Sequence, residues 1–243
     1  MKEEEVSQRL ARAGAVITNS HIVYTSGRHG TAYVNKDAIY PHTQEISDLC
    51  RAIAEYFVAD QIEVVIAPAI GGVILSQWTA HHLTKMTGRP VLSTYAQKSE
   101  RSLYKARETT AIYNIPSMGT ITLLEGEELA VKENCFVIER GYDKLVTGKN
   151  VLVVEDILTT GGSVRKVIAT TRALGGKIVG LGALCNRGGI KPSDVLDPPQ
   201  LYALLNVKLD SYDEADCPLC AQGIPINTDV GKGKEFLARK QEK

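Results

Sequence analysis

The sequence predicts an α/β domain built on a doubly wound, mainly parallel sheet flanked by helices. Near-continuous apolar runs rich in β-branched residues recur along the chain, as expected of strands that are buried on both faces. Segments with apolar residues at helical spacing lie between these runs, which is the alternation of a doubly wound fold. The predicted strands are 63–67, 90–94, 150–155, 177–185 and 201–205, and the predicted helices are 43–59, 71–87 and 162–175.

Terminal segments flank this predicted core of residues 43–207. Residues 1–42 begin as an acidic amphipathic segment, and within them 21–37 alternate with period two around a Gly-rich turn, which predicts a hairpin-like cap. Residues 208–243 form a loop marked by Pro, Gly and Cys and then a short charged helix. We therefore expect an N-terminal cap and a C-terminal tail around one core domain.

The connection 96–149 is much longer than the few residues that usually join elements of an α/β unit. It is polar and contains two short strand-like runs. Connections of this length are often lids, so we predict an extended mobile loop, with a solvated surface hairpin as the alternative. Its first part carries Lys98, Arg101, Lys105 and Arg107, whose charges suit an anionic ligand.

The overall composition favours a soluble cytoplasmic protein without nucleic-acid or membrane partners. Lys plus Arg and Asp plus Glu both total 28, so there is no overall cationic field of the kind that drives sequence-independent nucleic-acid binding. The chain begins with an acidic segment rather than a secretory leader, and no apolar run approaches the roughly 20 residues that cross a bilayer. The five cysteines are scattered and odd in number, which predicts that they are reduced.

The stretch VLVVEDILTTGGS, residues 151–163, combines a predicted strand with two acids and a small-residue turn. Glu155 and Asp156 would emerge at the carboxyl end of the strand, which we expect to face solvent and where open α/β sheets bind ligands. Backbone N–H groups and hydroxyls of residues 159–163 would converge on an anion at a helix N-terminus. Carboxylates beside a phosphate must face something else, such as sugar hydroxyls, a developing cation or a divalent metal. A phosphorylated sugar satisfies all of these requirements.

Two common phosphate-binding motifs are absent from the sequence, namely the P-loop and the G-x-G-x-x-G dinucleotide fingerprint. Instead, residues 151–163 resemble the phosphoribosyl pyrophosphate signature of type I phosphoribosyltransferases at every position. Residues 26–35 resemble the hood segment of orotate phosphoribosyltransferases, with Gly-Thr in place of Ser-Pro. Residues 67–76 resemble the pyrophosphate loop of the family, 185–189 fall where these orotate enzymes carry an arginine for the base, and 217–226 are similar to the tail of one branch.

The resemblance implies a function and a set of site residues. It implies an orotate phosphoribosyltransferase, a pentosyltransferase of pyrimidine biosynthesis that transfers the phosphoribosyl group from phosphoribosyl pyrophosphate to orotate, giving orotidine monophosphate and pyrophosphate. A phosphoribosyltransferase for another base, such as a purine, and a non-catalytic nucleotide-sensing regulator are the alternatives. Because the family's loops reach into a neighbouring site, a homodimer is also implied.

The implied catalytic residues are Glu155 and Asp156, which would hold the ribose hydroxyls near the developing positive charge, and Lys98. The implied cofactor is Mg²⁺, held mainly by substrate oxygens, with Glu155 and Asp156 as the candidate protein ligands. Phosphoribosyl pyrophosphate would contact the acidic pair, Lys98, Arg140, Ala69, Ile70, Gly71, Gly72, Ile157, Leu158, Thr159, Thr160, Gly161, Gly162 and Ser163. The base would contact Thr159, Arg187, Arg28 and Tyr33.

Cysteine and histidine residues outside these motifs suggest a metal site only weakly. Cys217 and Cys220 form half of a zinc-ribbon pattern, but the chain offers no second cysteine pair and no suitably spaced histidine. A structural turn is therefore favoured, with a metal shared across a dimer as the alternative. His29, beside Arg28 in the Gly-rich turn, is a candidate substrate contact.

Overall fold

The computed structural model describes residues 1–106, 109–115, 119–207 and 209–241. The strands are β1 (Val16–Ile17), β2 (Ile22–Val23), β3 (His29–Gly30), β4 (Tyr33–Val34), β5 (Val64–Pro68), β6 (Leu92–Lys105), β7 (Ala111–Ile115), β8 (Gly119–Leu123), β9 (Glu128–Val137), β10 (Asn150–Leu158), β11 (Lys177–Asn186) and β12 (Leu201–Asn206). The α-helices are α1 (Glu3–Arg12), α2 (Thr43–Phe57), α3 (Gly71–Thr87), α4 (Asp143–Val146), α5 (Gly162–Ala173), α6 (Pro218–Ala221) and α7 (Gly233–Gln241).

A six-stranded sheet with the order β12-β11-β10-β5-β6-β9 lies at the centre of the fold. Every neighbouring pair is parallel except β6 and β9, which are antiparallel. Helices α2, α3 and α5 follow the predicted helical segments, and the five parallel strands contain or overlap the predicted apolar runs. The predicted doubly wound α/β fold is confirmed.

The two faces of the sheet bury separate apolar clusters, and consecutive residues of β10 alternate between them. Leu152 and Val154 pack in the cluster that α2 and α3 cover, whereas Val151 and Val153 pack in the cluster that α5 covers. This alternation follows from the period of two in a strand. Each such side chain, fully buried, stabilises the fold by roughly 1.5–3 kcal/mol.

The long connection is more regular than the sequence predicted. Strand β6 continues beyond the core and pairs with β9 from Gln97 opposite Val137 to Lys105 opposite Glu128. Strands β7 and β8 form a further antiparallel hairpin at the far end. We call residues 97–137 the arm. Arg107 lies outside the described residues, as do the side chains of Arg101 and Lys105, so their suggested role with an anion stays a prediction.

The N-terminal cap of residues 1–42, which we call the hood, meets the C-terminal tail at two isolated bridges. His21 pairs with Ile226, and His29 pairs with Tyr212 in an antiparallel bridge. Strands β2 and β3 of the hood pair as the predicted hairpin, and β1 pairs with β4. The two ends of the chain are therefore joined beside the sheet. Across the described residues, we find no helix that combines the length and the apolar character needed to cross a membrane.

Candidate active site

The acidic pair lies at the carboxyl end of β10, and its two side chains point to opposite faces of the sheet. Glu155 lines a pocket of about 190 Å³ together with residues 157–164, on the side of α5. Asp156 points toward the hood. Contrary to the expectation of a solvent-facing strand end, Glu155 is only 8% exposed and Asp156 only 5%. The hood covers this end of the strand, which the strand pattern alone could not reveal.

Lys36 and Tyr40 hold the Asp156 carboxylate. The Nζ of Lys36 lies 2.6 Å from Oδ2 of Asp156, and the Tyr40 hydroxyl donates to the same oxygen at 2.8 Å. Burial alone would lower the pKa of Lys36, but the hydrogen bond and charge of Asp156 raise it overall. Burial and the Asp156 charge also raise the pKa of Tyr40, so its hydroxyl remains a donor. Sequence reasoning missed both residues, because no motif connects them with β10.

Glu155 is held in a different electrostatic environment. Burial, followed by the neighbouring Asp156 charge, raises the pKa of the Glu155 carboxyl well above its usual range. One of its oxygens, Oε1, accepts a hydrogen bond of 3.2 Å from the Asp156 amide. The two adjacent acids are therefore inequivalent, with Asp156 the one that carries a close cationic partner.

The turn after β10 has the geometry of a phosphate cradle. Gly161 is the N-cap of the 12-residue helix α5 and has a φ of 70°, a left-handed conformation that glycine adopts readily. Thr159, Thr160, Gly162 and Ser163 are exposed along the pocket and offer hydroxyls and backbone N–H groups. The positive end of the helix and these donors favour an anion. The predicted phosphate turn thus lies beside Glu155.

The predicted pyrophosphate loop, residues 69–72, lies directly against Asp156. The peptide bond between Ala69 and Ile70 is cis, and helix α3 begins at Gly71. A Cβ at Gly71 would overlap Oδ2 of Asp156 and Nζ of Lys36, so only glycine fits there. Gly72 is the next amide in the first turn of the helix, and the Ile70 side chain is exposed. A second helix N-terminus therefore lies beside Asp156.

The two predicted loop cations lie at the base of the arm. The Ala69 amide donates to the carbonyl of Ala96 at 2.8 Å, so β6 leaves the sheet beside the pyrophosphate loop. Lys98 is exposed two residues further along and lies opposite Phe136 of β9. Arg140, also exposed, follows three residues after β9 ends. The fold places both cations at the same edge of the sheet as the acids, without a contact to them.

Arg187 extends from the end of β11 to the phosphate turn. Its Nη2 donates to Oγ1 of Thr159 at 3.2 Å, and its guanidinium lies 5.3 Å from the ring centre of Tyr24. The amides of Arg187 and Gly188 both donate to the carbonyl of Leu158 at 2.9 Å, which fixes the two loops together. A Cβ at Gly188 would overlap the backbone carbonyl of Thr159, so glycine permits this close approach. Tyr24 was not singled out from the sequence.

The other residues that were predicted to contact the base have different partners in the structure. Arg28 donates to Ser211 and, through Nη1, to both carboxylate oxygens of Asp213 at 2.8 and 2.9 Å, so its guanidinium is engaged by the tail. Tyr33 is half-buried in β4, paired with β1. His29, suggested as a substrate contact, is fully buried beside His21 instead. Base binding by Arg28 and Tyr33 stays a prediction.

Comparisons with known proteins identify the family of the chain. The family model described as the phosphoribosyl transferase domain matches residues 35–197. The orotate phosphoribosyltransferase of Desulforamulus reducens is 32% identical over 93% of this chain and 95% of its own length.

Among solved structures, the orotate phosphoribosyltransferase of Mycobacterium tuberculosis in complex with inorganic phosphate has a TM-score of 0.54 at 20% identity, covering 84% of this chain and 95% of its own. The adenine phosphoribosyltransferase of Thermoanaerobacter pseudethanolicus has a TM-score of 0.53 at 15% identity, covering 85% of this chain and 100% of its own. The fold is thus shared by enzymes named for different bases. The family match, the acidic pair and the phosphate turn lead to one conclusion: the chain belongs to the phosphoribosyltransferase family and is a pentosyltransferase enzyme.

Proposed function

We propose that this protein is an orotate phosphoribosyltransferase, and the observation that carries the choice of base is the position of Arg187. Its guanidinium borders the phosphate turn through Thr159 and lies over Tyr24. No carboxylate among the described residues forms an ion pair with it, whereas Arg28 is paired with Asp213. Orotate carries a carboxylate that purines, uracil and cytosine lack, and a guanidinium can bind it bidentately.

In the proposed reaction a ring nitrogen of orotate loses its proton to water and bonds to C1 of the ribose, while the bond from C1 to pyrophosphate breaks and its electron pair leaves with pyrophosphate. Positive charge develops on the ribose in the transition state. The buried Asp156 and Glu155 carboxylates would act on this charge electrostatically and hold the ribose hydroxyls. Residues 159–163 would hold the 5-phosphate, and the loop 69–72 would hold the pyrophosphate at the N-terminus of α3.

We propose Mg²⁺ as the cofactor, held mainly by substrate oxygens. Carboxylate oxygen is the donor that Mg²⁺ prefers, and the acidic pair supplies it at the site. Oδ2 of Asp156 already accepts from Lys36 and Tyr40, and Oδ1 accepts from the Ile157 amide. Because both of its oxygens are already engaged, Asp156 is better suited to contact the water shell of a substrate-bound Mg²⁺ than to bind the ion directly. When bound, Mg²⁺ would neutralise charge on the leaving pyrophosphate.

Lys98 and Arg140 are the candidate cations for the leaving group. Both are exposed at the base of the arm, at the same edge of the sheet as the pyrophosphate loop. Closure of the arm over bound substrate would bring these charges to the pyrophosphate and exclude water. We also propose a homodimer that works in the cytoplasm, where its five cysteines form no disulfide, as in the structure.

Turnover with a panel of bases tests the proposed function. The full chain is assayed with phosphoribosyl pyrophosphate, Mg²⁺ and either orotate, uracil, adenine, guanine or hypoxanthine, and pyrophosphate release is measured. We expect orotate to be preferred by at least about 10³-fold in kcat/KM, because a base without the carboxylate leaves the arginine unpaired. Preference for a purine would replace orotate as the substrate, and no turnover with any base would favour the nucleotide-sensing regulator.

A further inference from the structure

Four metal-binding side chains converge where the hood meets the tail. His21 and His29 come from the hood, and Cys217 and Cys220 come from the tail, almost 200 residues later in the chain. One ligand atom of each residue lies within 4.8 Å of all the others. Cys217 and both histidines are buried, and Cys220 is partly buried. The sequence showed no suitably spaced histidine because the histidines lie at the opposite end of the chain.

The distances between these atoms fit a tetrahedral metal centre. Nε2 of His21 lies 3.7 Å from Sγ of Cys217 and 3.6 Å from Sγ of Cys220. Nδ1 of His29 lies 3.3 Å from Sγ of Cys220 and 2.9 Å from Nε2 of His21. Metal bonds of about 2.3 Å to sulfur and about 2.0–2.1 Å to nitrogen imply ligand separations of roughly 3.3–3.8 Å at a tetrahedral site. The sulfur–nitrogen distances match, and the nitrogen pair is slightly closer.

Inside the cluster, His29, Cys217 and Cys220 all approach one acceptor, the Nε2 of His21. The Nδ1–H of His21 donates to the carbonyl of Ile224 at 2.7 Å, which leaves Nε2 with one lone pair. That lone pair faces His29 and both thiols at once, but it can accept only one hydrogen bond at a time. A cation at the centre would be bound by all four atoms together. The carbonyl of Ile224 fixes the His21 tautomer in the way that outer partners of metal ligands usually do.

We propose that His21, His29, Cys217 and Cys220 bind a structural zinc ion. Two thiolates and two imidazoles are a donor set of structural zinc sites, which use four protein ligands and leave no open position. Burial of the cluster and the absence of an acidic ligand within it favour zinc over a hard cation such as Mg²⁺ or Ca²⁺. This inference does not depend on which base the enzyme uses.

The proposed ion would join the hood to the tail close to the part of the active site where we propose that the base binds. Tyr24 lies in the same hairpin as His29 and contacts Arg187. Arg28, next to His29, donates to Ser211 and Asp213 of the tail. Losing the ion would release the hairpin from residues 217–220 and disturb the surface beside Arg187. We therefore expect metal loss to weaken base binding more than phosphoribosyl pyrophosphate binding, a consequence that rests on the proposed function.

Metal analysis of the purified, tag-free full chain tests the site directly. We expect about one zinc per chain by mass spectrometry of the metal content. After exchange into Co²⁺, the protein should show visible d–d absorption and near-ultraviolet sulfur-to-cobalt charge transfer, both typical of tetrahedral thiolate ligation. Stripping the zinc with a strong chelator should lower Tm, and adding zinc back should restore it. None of these measurements requires a variant to fold.

Variants then assign the ligands. Cys217→Ser and Cys220→Ser should each lower retained zinc affinity by at least about 10-fold and weaken the cobalt charge-transfer band. Cys135→Ser is the matched control, since Cys135 is a buried cysteine outside the cluster, and it should keep full zinc content. Wild-type protein that carries only traces of zinc and gives no cobalt spectrum would overturn the proposal, as would a Cys217–Cys220 disulfide in the native protein. Such a result would leave the base panel, and so the proposed function, unaffected.

Discussion

At the scale of single residues, the two adjacent acids of β10 differ because a strand sends neighbours to opposite faces. Asp156 meets Lys36 and Tyr40, while Glu155 meets the phosphate turn. We expect Asp156→Asn to lower kcat by about 10²–10³-fold, because the amide keeps the shape but loses the charge that acts on the transition state. Steady-state assays should show this loss, and circular dichroism should show a folded protein with a lowered Tm, because the substitution leaves the partly buried Lys36 without its anionic partner. Asp60→Asn, outside the site, is the control, and near wild-type kcat in Asp156→Asn would contradict the mechanism.

The raised pKa of Glu155 leads to a separate prediction about how stability depends on pH. Its folded-state pKa is raised, so between the unfolded pKa and the folded pKa the native state binds more protons than the unfolded state, and stability falls as pH rises. Glu155→Gln removes this penalty. We expect the variant to have a higher Tm than wild type at pH 8 and a matching Tm at pH 4, below the ordinary glutamate pKa. A Tm difference that is constant across this range would exclude a raised Glu155 pKa.

Our proposal makes Arg187 the residue that decides between bases. Arg187→Ala should cost orotate roughly 2–4 kcal/mol in kcat/KM, or about 30- to 1,000-fold, because the substrate carboxylate loses its partner. Binding of phosphoribosyl pyrophosphate, measured calorimetrically, should change little. Arg187→Lys keeps the charge without the bidentate fork and should recover only part of the loss. Equal orotate kinetics in wild type and Arg187→Ala would remove the base assignment and leave the family assignment intact.

Sequence reasoning found the residues that lie within one continuous motif and missed those that tertiary packing supplies. Thr159 and Arg187 could be predicted to meet because the carboxyl ends of neighbouring parallel strands share an edge. Lys36, Tyr40 and Tyr24 could not, since their contacts depend on how the hood folds over β10. The histidine–cysteine cluster was hidden for the same reason.

At the scale of elements, the core helices and strands followed from periodicity, but the arm did not. Helix α3 has the predicted bounds, whereas β6 runs to Lys105, well past the predicted end at residue 94. The strands of the arm carry many polar side chains and lack the continuous apolar runs that mark the core strands, so periodicity does not reveal them. Pairing between β6 and β9 stabilises them instead.

Hydrogen exchange tests whether the arm responds to substrate. We expect amides of 109–115 and 119–123, in the hairpin β7–β8, to exchange faster than those of β10 in the free protein. Phosphoribosyl pyrophosphate with Mg²⁺ should slow the exchange of these hairpin amides about 10-fold or more if the arm closes over the site. The amides of β12, on the opposite edge of the sheet, serve as the internal control. Equal exchange with and without ligand would make the arm a static surface hairpin.

At the scale of the whole molecule, the site is assembled from segments distant in the chain. The hood supplies Lys36 and Tyr40, the core strand β10 supplies the acidic pair, and the loop after β11 supplies Arg187. The tail contacts the hood at Arg28, which donates to Ser211 and Asp213. An arm of about ten residues per strand, at roughly 3.3 Å per residue, is long enough to extend about 30 Å beyond the core. Such a length suits contact with a second copy of the chain.

The proposed homodimer can be tested together with the direction in which the arm acts. One variant carries Asp156→Asn and an intact arm, and a second keeps Asp156 but has residues 102–131 replaced by a short Gly-rich turn. If each arm closes over the partner's site, refolding the two inactive proteins together gives hybrids with one complete site, and about a quarter of wild-type activity should return. Separate proteins mixed without refolding are the control. An arm that closes over its own site would restore no activity, and a monomeric mass for fully active wild-type protein would contradict the dimer itself.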